Sequence, residues 1–290
     1  MIKQYGFQKP HIDETHYKSF GGFISLPAIV IQPDGNWRPF LPKYERQFGT
    51  GWDSYGCTVF GTLNCLETLL KHKFNMGYDF SERYIYNLAE VEPPGHDPHD
   101  IAEKIRKEGV IEQELLPFVD SYDEFRKPRP MTKDLIDKGH LWLAKYNFKH
   151  EWLYDEDLKD LSKRHQLIRE NLPCGPLGGS VTAWILNNDG EYSSNGQPNT
   201  HWVEIFAIDE QDRVQIFDSY DQSIKLLSAD HDIQFVKRYV LEEKTPEEQL
   251  NSLQKNLIEK LYEFALRLFR QVYKVSGEFV VGVFSERDNN

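Results

Sequence analysis

The sequence predicts an α+β fold, in which helices and strands are gathered into different stretches of chain, and three observations carry that expectation. Apolar residues from Val59 to Leu70 recur at three- and four-residue steps, the period of a helix. Apolar, strand-like runs from Val181 to Phe217 are broken by a polar turn at Asp209, Glu210, Gln211 and Asp212. A long amphipathic run then opens at Thr245.

In chain order, the first fifty residues carry Pro and Gly at short intervals around the run SLPAIVIQPDGNW, which reads as an extended arm wrapping a core. Val59, Phe60, Leu63, Leu66, Leu69 and Leu70 predict a helix to about His72, with Cys57 at its N-terminus. Ser81 caps a second helix reaching Leu88, and a third spans Pro98 to Glu108 before Gly109. After the Pro-rich link from Arg126 to Pro130, His140 to Phe148 alternates as a strand and Asp155 to Asn171 reads as a helix. Val181 to Leu186 is expected as a strand, and His201 to Ile208 pairs with Arg213 to Phe217 as a hairpin. Thr245-Pro246-Glu247-Glu248 is a capping box with Pro at the first helical position. Leu250, Leu253, Leu257, Leu261, Phe264, Leu268 and Val272 give the following helix an apolar face, and Gly277 precedes a strand-like run, Glu278 to Phe284.

Composition excludes several classes. A net charge of −12 argues against nucleic acid as partner, since neutralising phosphates needs concentrated Lys and Arg. No apolar run reaches the length of a membrane span, so no membrane partner is expected. Three cysteines, Cys57, Cys65 and Cys174, are too few for a disulfide framework, and the first twenty residues lack the apolar core of a secretory leader. The expected setting is reducing, either cytoplasm or a virus particle.

A thiol attacks a carbonyl only as thiolate, and a helix N-terminus favours that charge, which singles out Cys57. Such a nucleophile needs a His beside it and a third group to orient the imidazole. His201 and Asp218 lie at the outer ends of the two hairpin strands, where antiparallel pairing brings them close.

Several short segments occur in the same order as in one known family. Glu45-Arg46-Gln47 and Gly56-Cys57-Thr58-Val59-Phe60 are followed by Phe80-Ser81-Glu82-Arg83, Glu108-Gly109-Val110-Ile111 and Leu116-Pro117-Phe118. Then come Gly175-Pro176-Leu177, Ser180-Val181, His201-Trp202-Val203 and Phe217-Asp218-Ser219-Tyr220. Over residues 40 to 240 the chain resembles the papain-like cysteine peptidases. His201 lies 144 residues after Cys57, inside the family's separation of roughly 130–150.

The resemblance implies a two-lobed papain-like domain over residues 1–242. Its helical lobe is expected at about 47–125 and its β-rich lobe from 1–46 and 126–242, with 243–290 as a helix-strand extension. It also implies peptide hydrolysis without a cofactor, Cys57 acting as nucleophile, His201 as base, Asp218 in the place of the family's Asn, and Gln47 as oxyanion donor. Asp218 is expected to add a negative charge favouring the imidazolium, and Tyr220, where the family has Trp, to shield the His–Asp contact. The local pattern departs from the family in lacking its first Cys and in placing Gln47 ten residues before Cys57. A small insertion around Gly49, Thr50, Gly51 and Trp52 accounts for that distance. Only 56 residues precede Cys57, which leaves little room for the family's long inhibitory propeptide, so control is expected from substrate access, an inhibitor or assembly.

Two other functions fit the same residues: an amidase or acyl transferase working on cell-wall peptides, and a non-catalytic protein that kept the fold. Gly95-His96-Asp97-Pro98-His99-Asp100 collects metal-ligand types, but no further Cys or carboxylate motif completes a zinc signature, so the loop is read as a wall of the substrate cleft. Trp37, Trp52 and Trp202 are read as core residues, and Cys65 and Cys174 as buried thiols. The helix over 246–274 either packs on the core or docks a protein partner or a second copy.

Overall fold

The computed structural model describes residues 6–12, 26–220 and 224–275. It divides into two compact units, Met1–Glu243 and Lys244–Asn290. In the first unit a two-residue strand, β1 (Gly6–Phe7), precedes an arm from residue 26 to 47 that has no strand. Trp37, fully buried, pins the arm by donating its indole N–H to the Leu172 carbonyl at 2.7 Å. A hairpin of β2 (Phe48–Gly49) and β3 (Trp52–Asp53) leads into α1 (Cys57–Phe74).

Helix α1 is the axis of the unit: every residue from Cys57 to Leu70 is buried, the mark of a helix surrounded on all sides. A residue with a Cβ at Gly61 would come within 3.0 Å of the Trp202 ring and 3.2 Å of the Trp202 carbonyl. Glycine there lets α1 approach the strand that carries His201.

Next come α2 (Glu82–Leu88), β4 (Gly95–His96), α3 (Pro98–Glu108) and the single turn α4 (Tyr122–Phe125). Ser81 caps α2 by accepting from the Tyr84 N–H, Asp97 caps α3 through the His99 N–H, and Gly109 ends α3 at φ +71°. Then follow α5 (Lys133–Lys145), β5 (Tyr146–Tyr154), α6 (Leu161–Asn171), β6 (Leu177–Val181), β7 (His201–Ile208), β8 (Val214–Phe217), β9 (Ile224–Leu226) and β10 (Val236–Glu243). The last six strands form one antiparallel sheet in the order β5-β10-β6-β7-β8-β9. The hairpin β7–β8 has the expected span, and pairs Glu204 with Phe217 and Ile208 with Val214.

Three expected elements differ. Residues 140–145 belong to α5, because Leu135, Gly139 and Trp142 are buried at helical spacing and regular alternation begins at Tyr146. The helix expected from Asp155 starts at Leu161, where Asp160 accepts from the Lys163 N–H. The strand expected over 181–186 is β6, which ends at Val181. Gly178 and Gly179 hid it from propensity, yet Cβ atoms there would meet the Trp202 ring at 2.7 Å and Ile205 Cδ1 at 2.5 Å. Beyond it, the Thr182 hydroxyl turns to the Gln197 and Pro198 carbonyls.

The second unit contains α7 (Pro246–Val275). Its capping box is formed: the Thr245 N–H donates to Glu248 Oε2 at 2.7 Å, and the Glu248 N–H to Thr245 Oγ1 at 3.3 Å. Gly277 and the strand expected over Glu278 to Phe284 lie outside the described residues. No helix among the described residues is long and apolar enough to cross a membrane.

Candidate active site

Cys57 is the first residue of α1 and Gly56 its N-cap. The approach is locked by side chains: Ser54 Oγ accepts the Gly56 N–H at 3.0 Å and Asp53 Oδ1 the Tyr55 N–H at 2.8 Å. Cys57 is fully buried in one cluster with Trp202, one residue past His201 on β7. This contact sets the thiol beside the start of the strand that carries the imidazole.

His201 and Asp218 are both fully buried, and His201 Nε2 meets Asp218 Oδ1 at 2.6 Å. The imidazole lies edge-on to two aromatic rings, Trp184 at 5.3 Å and Tyr220 at 6.2 Å. Tyr220 therefore shares the covering of the His–Asp contact with Trp184, a residue that carried no signal in the sequence. Asp218 is not a bare charge, as the sequence suggested. Its second oxygen, Oδ2, accepts from Lys225 Nζ at 2.6 Å, and that lysine is buried with it.

Gln47 stays beside the loop that leads into Cys57 despite its sequence distance, because the β2–β3 hairpin absorbs the intervening residues. Ser54 N–H donates back to the Gln47 carbonyl at 3.2 Å. The Gln47 side chain is held at both ends: Ser219 Oγ donates to its Oε1 at 2.9 Å, and its Nε2 donates to Asp53 Oδ1 at 3.0 Å. Asp53 also accepts from the Tyr220 hydroxyl at 2.7 Å, so one carboxylate ties together the glutamine, the loop before the thiol and the ring beside the imidazole.

The electrostatics of the thiol reverse the expectation drawn from its helix N-terminus. Burial pushes the Cys57 thiol well above its ordinary range, the Asp53 and Asp218 carboxylates push the same way, and hydrogen bonds from the Trp202 and Thr58 backbones oppose them. Loss of water outweighs the favourable end of the helix.

The burial has a visible source. Cys57 belongs to a buried cluster with Phe7, Trp152, Trp202 and Phe235. Phe7 stacks on Trp202 with ring centroids 5.9 Å apart. Strand β1 lies parallel to β4, Gly6 opposite Gly95 and Phe7 opposite His96. Phe7 N–H reaches the Thr200 carbonyl at 3.4 Å and Gln8 N–H the His96 carbonyl at 3.1 Å. Strand β4, expected as part of a loop, thus holds the chain's own N-terminal segment beside Cys57. Its His96 ring is engaged by the Ala89 carbonyl and the Asp97 N–H. Among the described residues no cluster of His, Cys, Asp or Glu is arranged to hold a metal ion. Cys65 and Cys174 are buried and free of disulfides.

No protein-family model and no curated protein matches this sequence. Solved structures do. Xylellain, a cysteine protease from Xylella fastidiosa, superposes with a TM-score of 0.51 at 15% identity, over 84% of this chain and 97% of that one. Digestive procathepsin L2 proteinase from Tenebrio molitor larval midgut gives 0.51 at 14% identity, over 82% and 78%. The proform of Amb a 11, a cysteine protease and ragweed pollen allergen, gives 0.50 at 14% identity, over 81% and 71%. At these identities the likeness is one of architecture: the chain has the papain-like fold.

Proposed function

We propose that the protein is a cysteine peptidase in which Cys57, His201 and Asp218 form the catalytic triad. The observation that carries this reading is the joint placement of a helix-N-terminal thiol, packed in one cluster with Trp202 at the start of β7, and the buried His201–Asp218 pair. Since Nε2 serves Asp218, Nδ1 is the nitrogen that takes the thiol proton. The sulfur then adds to the peptide carbonyl, and the tetrahedral oxyanion is stabilised by the Cys57 backbone N–H and the Gln47 amide. Collapse expels the amine, which receives the proton from His201, and leaves a thioester on Cys57. Water, deprotonated by His201, attacks the thioester and releases the acid.

Turnover requires the segment around Phe7 to leave the site, both to admit substrate and to return water to the thiol. The buried neutral thiol also favours a second reading, a protein that retains the fold without catalysis.

Labelling with an iodoacetamide or epoxide probe at about pH 6, comparing the unaltered protein with Cys57→Ala and His201→Ala, decides between them. Labelling lost in Cys57→Ala and slowed at least tenfold in His201→Ala supports the peptidase and leads to peptide-library profiling. Labelling of Cys57 that ignores His201 supports the non-catalytic reading.

A further inference from the structure

We infer that Lys225 is a positioning residue of this site: it neutralises Asp218, so that the pair offers His201 the acceptor oxygen of an uncharged residue. The inference rests on the triad reading for its catalytic meaning, but its physical content is independent of catalysis.

Lys225 stands on β9 opposite Ile216 of β8, so β8 separates it from β7. Its ammonium lies 2.6 Å from Asp218 Oδ2 and 3.2 Å from the Tyr220 carbonyl. It also sits 4.6 Å from the centre of the Trp184 ring and 5.9 Å from that of Tyr192. Trp184 therefore has the ammonium over its ring while it lies against His201, at 5.3 Å. Two rings, a carbonyl and a carboxylate hold the charge where water is excluded, with both ionic side chains at 0% exposure.

A buried charge is retained only when it is paired, and removing one partner leaves the other uncompensated. In papain-like enzymes the position of Asp218 holds a neutral Asn. Here the carboxylate and the ammonium together supply the same geometry, one oxygen accepting from Nε2, with no net charge added beside the imidazole. Lys225 also fixes which oxygen does so, because Oδ2 is committed to Nζ.

The other titratable groups near the pair are Cys57 on α1, Asp53 on β3 through the Tyr220 hydroxyl, and Tyr192 beside the ammonium. Asp53 and Tyr192 are kept in every variant below and Cys57 is replaced by Ser in all of them, so differences between variants report Lys225 and Asp218.

The test is an NMR titration of the His201 imidazole in the full chain carrying Cys57→Ser, which removes the thiol proton from the measurement. The resonance is assigned by its loss in His201→Ala. Lys225→Met exposes the imidazole to an unbalanced carboxylate, and the midpoint rises by about one to two units. Asp218→Asn combined with Lys225→Met removes both charges and returns the midpoint to within about 0.3 unit of its starting value, an agreement far tighter than the shift being measured. An unmoved midpoint in Lys225→Met, or a double variant that fails to restore it, overturns the inference. If Lys225→Met does not fold, the double variant alone decides, because neutral partners must preserve both fold and midpoint. Catalytic failure is read separately by probe labelling: a protein whose thiol ignores His201 can still show the titration shift.

Discussion

The closed state of the site makes a quantitative prediction about its own N-terminal segment. Phe7 is 6% exposed, and burying a phenylalanine side chain contributes about 2 kcal/mol. If that burial holds the segment in place, Phe7→Ala raises the open fraction about 30-fold, since each 1.4 kcal/mol is a factor of ten. Gly6→Ala reaches the same end by another route. Gly6 sits at φ +112°, and a Cβ there would lie 2.0 Å from the Tyr55 carbonyl oxygen, so the strand cannot seat. Phe7 packs in the Cys57 cluster without supplying a polar side-chain atom, and Gly6 has no side chain. The assay is the rate of Cys57 alkylation by a small probe, with Cys57→Ala as blank and far-UV circular dichroism as a check of fold. When opening is fast compared with alkylation, the rate follows the open fraction. Both variants should therefore label faster, and deletion of residues 1–12 faster still. Equal rates in the unaltered protein and in both folded variants would refute the reasoning and show that the body of the fold closes the thiol.

Three further outcomes follow from buried groups. Asp218→Asn, which converts the residue to the family's own Asn, should destabilise this protein by about 3–5 kcal/mol in urea unfolding, because Lys225 is left without its anion; a change below about 1 kcal/mol would show the pair to be dispensable. Glu204, wholly buried on β7, is pushed up to about 8 by burial, so the folded state holds a proton that the unfolded chain releases near pH 4.5. Its stabilising contribution is full below that pH and is lost as pH rises toward 8, a decline on the order of 5 kcal/mol. Glu204→Gln should flatten that part of the pH–stability curve, and an unchanged slope counts against the assignment. Gly178→Ala should cost about 1–3 kcal/mol by overpacking against the Trp202 ring, measured as a lowered unfolding midpoint.

How much of this was legible in the sequence depends on whether a feature is local. The helix opened by Cys57, the Ser81 and Thr245 caps and the β7–β8 hairpin are written in side chains a few residues apart, and the structure has them at those places. Strand β6 failed by the same logic. Its glycines lower strand propensity, and their value lies in the space they leave for Trp202 and Ile205, which are remote in sequence. The hairpin between Gln47 and Asp53 explains a spacing that sequence could only register as an insertion. Asp53, Trp184, Lys225 and Phe7 bear on the site through contacts across 145 residues or more in the case of Phe7 with Trp152 and Trp202, and across neighbouring strands in the case of Lys225. No periodicity or motif marks such residues. The nearest available signal for Lys225 was a lysine seven residues after Asp218, a charged acceptor where the papain-like pattern has a neutral Asn.

That substitution bears on what kind of resting state the fold holds. Two carboxylates near a thiol oppose its ionisation, and one of them, Asp53, also serves as the knot for Gln47, Tyr55 and Tyr220. Removing Asp53 to ease the thiol would release the glutamine and the loop before Cys57 together. Removing Asp218 would strand Lys225. The remaining variable is water: burial is the largest influence on Cys57, and Phe7 of the N-terminal segment supplies part of it beside Trp152, Trp202 and Phe235. A site whose fixed charges are all structurally committed is most readily switched by its cover, so under the proposed triad displacement of Phe7 is the step expected to let His201 deprotonate the thiol, and the alkylation rates of the Phe7→Ala and Gly6→Ala proteins check it.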